Sequence, residues 1–192
     1  MMVGRALRAV LGVWLLGVAA WGCGPVSGPP SDERAPVPIA DAPPTATSHI
    51  TATLFFGASG GGGLVPARVE VPLAPTIAEQ AEAILRAALA DPPAGMLRVV
   101  PRGTRLRAFY LDGRGGAFVD VTSEVVRLHP GGSFGEALTV AALVNAVTAN
   151  LVAVRTVRLL VEGREVDTLA GHVDVSGPIA QDMSLVVSDK RP

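Results

Sequence analysis

The chain has 192 residues, of which 49% are apolar, 17% charged and only 4% aromatic, and its formal net charge is −1 at pH 7. This length allows one domain plus an attachment segment, and the composition fits a core built mainly of Ala, Val and Leu rather than a disordered chain. No basic stripe with interleaved aromatic residues occurs, so nucleic acid is not an expected partner.

The first 22 residues have the layout of a secretory signal. Arg5 and Arg8 precede an uncharged run from Ala9 to Ala20, which at about 12 residues is too short to span a bilayer comfortably as a helix. Just beyond the run stands Cys23, the only cysteine, which allows neither an internal disulfide nor a cysteine-based zinc site. The segment resembles a bacterial lipoprotein signal, so we expect residues 1–22 to be removed and Cys23 to be the lipid attachment site. An ordinary cleaved signal and an uncleaved anchor are the alternatives.

Residues 23–48 form a Pro-rich tether, with 7 prolines among residues 24–48. Such a composition gives an extended, semi-rigid spacer of about 3.1 Å per residue where polyproline geometry holds. We expect it to hold a folded domain away from a membrane surface. A disordered stretch of no selected length is equally compatible with this composition.

Two strands joined by a glycine-rich loop begin the folded part. Apolar side chains alternate in HITATLFF, residues 49–56, and again at Val69, Val71 and Leu73. The intervening loop, Gly57 to Gly63, lacks the Gly-Lys-Ser/Thr triplet and the helix start that a phosphate-binding loop requires. We therefore interpret it as a hairpin loop rather than as a nucleotide site.

The first helix is predicted from a capping box, in which Thr76 and Glu79 satisfy each other's backbone donors. An apolar stripe follows at helical spacing, and Pro92 and Pro93 end the helix. Next, residues 105–122 read as two strands around an Asp-Gly turn, and SEVVRLHP, residues 123–130, reads as a helical turn or loop.

Ser133 and Glu136 have the same capping-box spacing and predict the start of a second, largely buried helix. Asn145 in this helix needs hydrogen-bond partners, because a buried unsatisfied amide costs about 1–3 kcal/mol. We expect it to tie the helix to a neighbouring loop.

A last hairpin closes the domain, with Val157, Leu159 and Val161 facing inward, EGRE as a tight turn and VDTL, residues 166–169, pairing back. The element order is β, β, α, β, β, α, β, β. It predicts an α+β fold, a single two-layer domain with two helices packed on one face of a mixed or antiparallel sheet.

The sequence contains few candidates for catalytic or metal-ligating residues. His49, His129 and His172 show no metal-site spacing. His172, Asp174 and Ser176 are the residue types of a hydrolase triad, but in an extended segment they lie at intervals of about 6.6–6.8 Å, too far for a serine–histidine hydrogen bond. We expect these polar residues to satisfy local backbone groups. No catalytic residue, metal ligand or cofactor is predicted.

Three stretches carry a resemblance to a known family. They are PRGTRL before a hairpin that ends in VDVTSE, the helix segment ALVNAVT, and VRLLVEGREVDTLAGHVDVSGPI. In order and spacing they resemble the GerMN domain over residues 49–182, which leaves residues 183–192 as a C-terminal tail. The resemblance implies an exported protein of the cell envelope, often a lipoprotein, with a fold similar to the ring-building modules of secretion systems. The resemblance implies no catalytic residues. It implies no role in sporulation either, because this chain carries one copy of the domain and the sporulation protein that gives the family its name carries two.

These observations predict a non-catalytic cell-envelope lipoprotein, anchored through Cys23 on the extracytoplasmic side of a membrane. Its domain is expected to bind an envelope protein or to assemble with itself. A module that binds a glycan or small ligand near the cell wall is the alternative. The low aromatic content weakens this alternative, because Tyr110 is the only tyrosine and the predicted domain contains no tryptophan.

Overall fold

The structure, a computed structural model, describes residues 48–187. The predicted signal, Cys23 and nearly all of the predicted tether lie outside this range, as do residues 188–192. The described elements are β1 (His49–Ala58), β2 (Leu64–Pro72), α1 (Ile77–Leu89), β3 (Met96–Leu97), β4 (Leu106–Leu111), β5 (Gly116–Val121), α2 (Glu124–Arg127), α3 (Ser133–Thr148), β6 (Thr156–Val161), β7 (Arg164–Glu165) and β8 (Ile179–Ala180). None of these helices combines the length and the apolar character needed to cross a bilayer.

The strands divide between two sheets. In the first, β1 lies between β2 and β3 and pairs antiparallel with both. In the second, the order is β4-β5-β6-β7, and β8 also pairs with β6. β5 and β6 run parallel, with α2 and α3 in the connection between them, while the other pairs are antiparallel. The predicted α+β class with mixed strands is confirmed, and the strands expected in one sheet form two.

Helices α1 and α3 contact strands of both sheets. On α1, Ala81 and Leu85 pack into the core formed with the second sheet, whereas Ile84 and Ala88 pack with β1 and β2. α3 is buried along most of its length, because apolar residues occur on nearly every side of it. The two helices therefore join the sheets into one domain.

The start of α1 follows the sequence prediction. The Thr76 hydroxyl oxygen accepts the N–H of Glu79 at 3.2 Å, and the Glu79 carboxylate accepts the N–H of Thr76 at 3.2 Å. Two backbone donors at the helix start are thus satisfied by the residues next to them.

Helix α3 begins at Ser133 as predicted, but its cap differs from the prediction. Its N-cap is Gly132, which provides no side-chain bond, and Ser133 is already helical. Gly131 and Gly132 have φ angles of 83° and 86°, in the left-handed region that favours glycine, so the backbone alone turns the chain into the helix. The predicted capping box of Ser133 and Glu136 is wrong, and the Glu136 carboxylate bonds elsewhere.

The predicted return strand VDTL is also wrong. After the turn, the returning chain pairs with β6 only at Arg164 and Glu165. Leu169, which is 1% exposed, enters the core instead of extending the ladder. Further along, residues 185–187 run beside the start of β2. The N–H of Leu64 donates to the carbonyl of Leu185, and the N–H of Val187 donates to the carbonyl of Leu64, both at 2.8 Å.

Candidate functional site

The three residues with triad chemistry do not come together. Asp174 Oδ1 accepts the N–H of Ser176 at 2.9 Å and its hydroxyl at 2.7 Å, which closes a local turn of the kind expected from the sequence. The Ser176 hydroxyl and N–H hold the pKa of Asp174 below its ordinary value. His172 instead faces α3, with its Nδ1 3.3 Å from a carboxylate oxygen of Glu136.

Glu136, expected in a capping box, is instead a buried carboxylate bonded to a distant segment. Its side chain is 0% exposed in the first turn of α3. One oxygen accepts the N–H groups of Leu169 and Ala170 at 2.8 and 2.9 Å, and the other accepts the N–H of His172 at 2.9 Å. A buried carboxylate is stable only with such donors, so Glu136 fixes the closing segment, residues 169–172, against the helix.

The charge state of Glu136 follows from this arrangement. Burial, the largest single influence, raises its pKa, but the N–H groups of Ala170, His172, Leu169 and Val173 together bring the pKa below its ordinary value. Glu136 is therefore a carboxylate at neutral pH. Its lone pairs are occupied by backbone donors, which suits a structural anchor rather than a general base.

One turn further along α3, Thr139 and His129 form a second buried contact. The Thr139 hydroxyl donates to the carbonyl of Val99 at 2.7 Å, so it accepts from Nε2–H of His129 at 3.1 Å. Nδ1 of His129 accepts the N–H of Gly131 at 3.0 Å, which assigns the neutral imidazole with its proton on Nε2. Burial lowers the pKa of His129, in keeping with a ring that serves as an acceptor.

Two asparagines complete the set of contacts. The Asn145 amide donates to the carbonyl of Asp182 at 2.6 Å and accepts its N–H at 3.0 Å, so the expected tie to a neighbouring segment is confirmed. Just after α3, Asn150 pairs in the same way with Thr53, at 2.7 and 2.8 Å, along the edge of β1. Side chains of α3, together with Asn150 just after it, thus bond to four backbone segments that are distant in sequence. These segments are residues 169–172, Val99, Asp182 and Thr53.

An apolar cleft of about 250 Å³ opens beside the start of α3. Its walls include Leu97 of β3, together with Phe134 and Leu138 of α3, and the glycine loop between β1 and β2 forms its rim. Leu97 and Phe134 are each 50% exposed although both are large and apolar. A Cβ atom at Gly57 would lie 3.0 Å from Val99, so glycine there lets β1 and the chain after β3 approach closely.

The glycine loop is the hairpin connection expected from the sequence. β1 and β2 pair from His49 and Pro72 up to Gly57 and Leu64, and the N–H of Ala58 donates to the carbonyl of Gly63. No other described atom lies within 4 Å of a Cβ built on Gly61 or Gly62, so this rim of the cleft is open.

Residues 48–187 contain no group of three or more metal-ligating side chains. His129 and His172 are both bonded to α3, and His49 stands apart at the start of β1. Among the described hydroxyls, Thr139 lies beside His129 and Ser176 beside Asp174, and both belong to contacts that hold the backbone. Cys23 lies outside the described residues.

Comparisons with known proteins agree with the fold. The tandem GerMN domains of the sporulation protein GerM from Bacillus subtilis match with 19% identity and a TM-score of 0.53, over 70% of this chain and 46% of that one. The first GerMN domain of the same protein matches with 18% identity and a TM-score of 0.51, over 68% and 97%. A candidate lipoprotein from Clostridium perfringens matches with 17% identity and a TM-score of 0.50, over 71% and 90%. Identities this low establish the fold alone.

Among proteins with curated functions, none matches this sequence. A family model does: Germane, described as sporulation and spore germination, matches residues 53–167, which is more than half of the chain. This match agrees with the GerMN resemblance of the sequence and with the GerMN domains of similar fold. The chain therefore belongs to the Germane family, and its folded part is a GerMN-like domain.

Proposed function

We propose that this chain is a lipid-anchored protein of the cell envelope, and that its GerMN domain binds another extracytoplasmic protein through the apolar cleft. The cleft is the observation that carries the proposal. Large apolar side chains that stay half exposed around a concave surface are typical of a binding site.

The position of the cleft suits a protein held at one end. The predicted tether joins the domain at Ser48, next to the paired residues His49 and Pro72. The glycine loop lies at the other end of β1, nine residues on, which corresponds to about 30 Å of strand. An anchor at Cys23 would thus leave the cleft at the end of the strand farthest from the attachment point.

The lining indicates what kind of group the partner presents. Leu97, Val99, Phe134 and Leu138 supply apolar contact area. Of the polar lining residues, Arg98 is bonded to Asp91 and to the carbonyl of Leu89, and His129 is bonded to Thr139 and Gly131. A space of about 250 Å³ accommodates one or two large apolar side chains. Such a pocket favours an anchor residue from a protein partner, with the binding energy concentrated where that residue is desolvated.

Site-specific crosslinking in intact membranes tests the proposal. A photoreactive residue at position 134 is expected to capture one discrete partner. The same residue at position 152, where Val152 is 99% exposed and away from the cleft, serves as the matched control. A crosslink to a second copy of this chain would mean that the cleft mediates self-assembly instead of binding to another protein. Identical products from both positions, or no product from position 134, would overturn the cleft as the binding surface.

Anchoring is tested separately with Cys23→Ser. The substitution removes the thiol that would carry acyl chains, each of whose buried methylene groups contributes about 0.8 kcal/mol to membrane binding. We expect the variant to leave the membrane fraction while the domain stays folded. Retention in the membrane without acylation would contradict a lipid anchor.

A further inference from the structure

The second sheet has a face that α1 and α3 do not cover. The inward side chains of β4, β5 and β6 form the core with the two helices, and the alternate residues point the other way. Among these outward residues, Tyr110 is 58% exposed, and Phe118 is half-buried without joining the described core clusters. We name this side of β4, β5 and β6 the outer face.

A row of three side chains crosses the outer face. Tyr110 pairs with Phe118 across β4 and β5, and Phe118 pairs with Arg158 across β5 and β6. Paired residues on one face of a sheet have neighbouring side chains, so two aromatic rings and a guanidinium group lie next to each other. Arg158 is held by Glu165 at 2.8 Å and its side chain is only 28% exposed.

A second cleft, of about 280 Å³, adjoins this row. Phe118 and Arg158 line it together with Thr156 of β6 and with Asp112 and Arg114 of the hairpin turn between β4 and β5. It therefore combines an aromatic ring, a hydroxyl, a carboxylate and two guanidinium groups. Unlike the apolar cleft, which is lined by the glycine loop, β3 and α3, it has several charged lining residues and lies on the second sheet.

The hairpin turn is fixed before any ligand arrives. Asp112 Oδ1 accepts the N–H groups of Arg114 and Gly116, both at 2.7 Å, and these bonds lower the pKa of Asp112. Arg155 packs beneath the turn, where its guanidinium donates to the carbonyl of Arg114 and its N–H donates to the carbonyl of Gly115. The side chain of Arg114 has no carboxylate within 4 Å among residues 48–187.

We propose that the outer-face cleft binds an acidic saccharide. The apolar side of a sugar ring stacks on Phe118 and Tyr110, and its carboxylate pairs with the guanidinium of Arg114 beside that of Arg158. Ring hydroxyls donate to Asp112 and bond to Thr156. The cleft offers an aromatic wall with a few convergent polar groups, and no described carboxylate forms an ion pair within 4 Å of the Arg114 guanidinium, which leaves it open to a ligand carboxylate. This proposal is independent of protein binding at the apolar cleft.

Titration of the full chain, solubilised in detergent, with two hexasaccharides tests the proposal. Oligogalacturonate carries a carboxylate on every ring, and maltohexaose is its neutral counterpart. We expect the acidic probe to bind about tenfold or more tightly, because only it can form charge-assisted hydrogen bonds with the arginines. Equal affinity for the two probes, or no binding of either, would overturn the proposal, as would equally tight binding of a single-stranded DNA oligonucleotide.

Two variants locate the site. Arg114→Ala keeps the backbone bonds of the hairpin and should weaken the acidic probe about tenfold with little effect on the neutral one. Tyr110→Ala should weaken both probes about fivefold through lost stacking. Arg68→Ala, an exposed arginine on β2, and Phe134→Ala, a half-exposed aromatic in the apolar cleft, are the matched controls and should leave both affinities unchanged. Equal losses in test and control variants would place binding elsewhere.

Discussion

Replacing Glu136 with glutamine tests the role of the buried carboxylate with almost no change in size. The remaining amide oxygen can still accept the N–H groups of Leu169 and Ala170, now as neutral hydrogen bonds. The amide nitrogen, however, is a donor and faces the N–H of His172, which loses its acceptor. The variant therefore keeps two weakened bonds and places two donors against each other inside the protein.

The cost can be worked out from these bonds. A hydrogen bond to a charged group contributes about 1.5–3 kcal/mol and a neutral one about 1, and an unsatisfied buried donor costs about 1–3 kcal/mol. Burying an amide instead of a carboxylate returns part of this loss, because the neutral group is easier to desolvate. We expect Glu136→Gln to lower the free energy of unfolding by about 3 kcal/mol. With an m-value of about 2 kcal/mol per molar urea, the midpoint falls by about 1.5 M.

Urea denaturation at neutral pH measures the loss, and amide hydrogen exchange locates it at Leu169, Ala170 and His172. Glu82→Gln is the matched control, since Glu82 carries the same charge on the surface of α1 and pairs with Arg86 at 3.1 Å. Exposed pairs of this kind contribute less than about 0.5 kcal/mol, so the control should unfold almost as the parent chain does. Equal midpoints for the parent and Glu136→Gln, with unchanged exchange in the closing segment, would refute the role assigned to this carboxylate.

The same carboxylate makes stability depend on pH. Because the folded state holds the pKa of Glu136 below its ordinary value of 4.5, the unfolded chain binds more protons in acid. The contribution is complete above pH 4.5 and is lost as the pH falls through the lower pKa of the folded protein. Glu136→Gln should show a correspondingly shallower loss of stability in this acid range.

Three further predictions concern the other contacts of α3. Asn145→Ala should cost about 2 kcal/mol and accelerate amide exchange at Asp182, because it removes both bonds to that residue; unchanged exchange there would contradict the assigned contact. Asn150→Ala should loosen the edge of β1, with faster exchange at Thr53 and a similar cost; protection at Thr53 equal to that of the parent would count against it. Burial lowers the pKa of His129 below 6.5, so its contribution to stability is complete above pH 6.5 and is lost as the pH falls through the lower folded value. His129→Gln should reduce the change in urea midpoint between about pH 7.5 and 5.5, and an unaltered pH dependence would show that the ring is not the group responsible.

Features governed by near neighbours could be predicted from the sequence. The capping box of Thr76 and Glu79 involves residues three apart, and the glycines between β1 and β2 define a turn by themselves. Asn145 illustrates an intermediate case, since its burial in an apolar helix indicated that it needs a partner. Its actual partner, Asp182, is 37 residues away and no local pattern marks it.

Glu136 shows why the rest could not be predicted. Its spacing from Ser133 is that of a capping box, and only two preceding glycines in left-handed conformation remove the need for one. The backbone N–H groups that donate to its carboxylate begin at Leu169, 33 residues later. VDTL does not form the predicted return strand for a related reason, because Leu169 packs in the core beside Glu136 instead of extending the ladder. The row of Tyr110, Phe118 and Arg158 depends on the register of three strands, which composition does not reveal.

The contacts of α3 also determine how much of the chain must be synthesised before this helix can pack in the core. The chain grows from its amino end, and a helix with a buried carboxylate cannot settle in an apolar core until that charge has acceptable neighbours. For Glu136 these arrive only with residues 169–172, and for Asn145 with Asp182, close to the end of the described chain. A nascent chain that lacks residues 169–182 therefore cannot complete the buried contacts of Glu136 and Asn145.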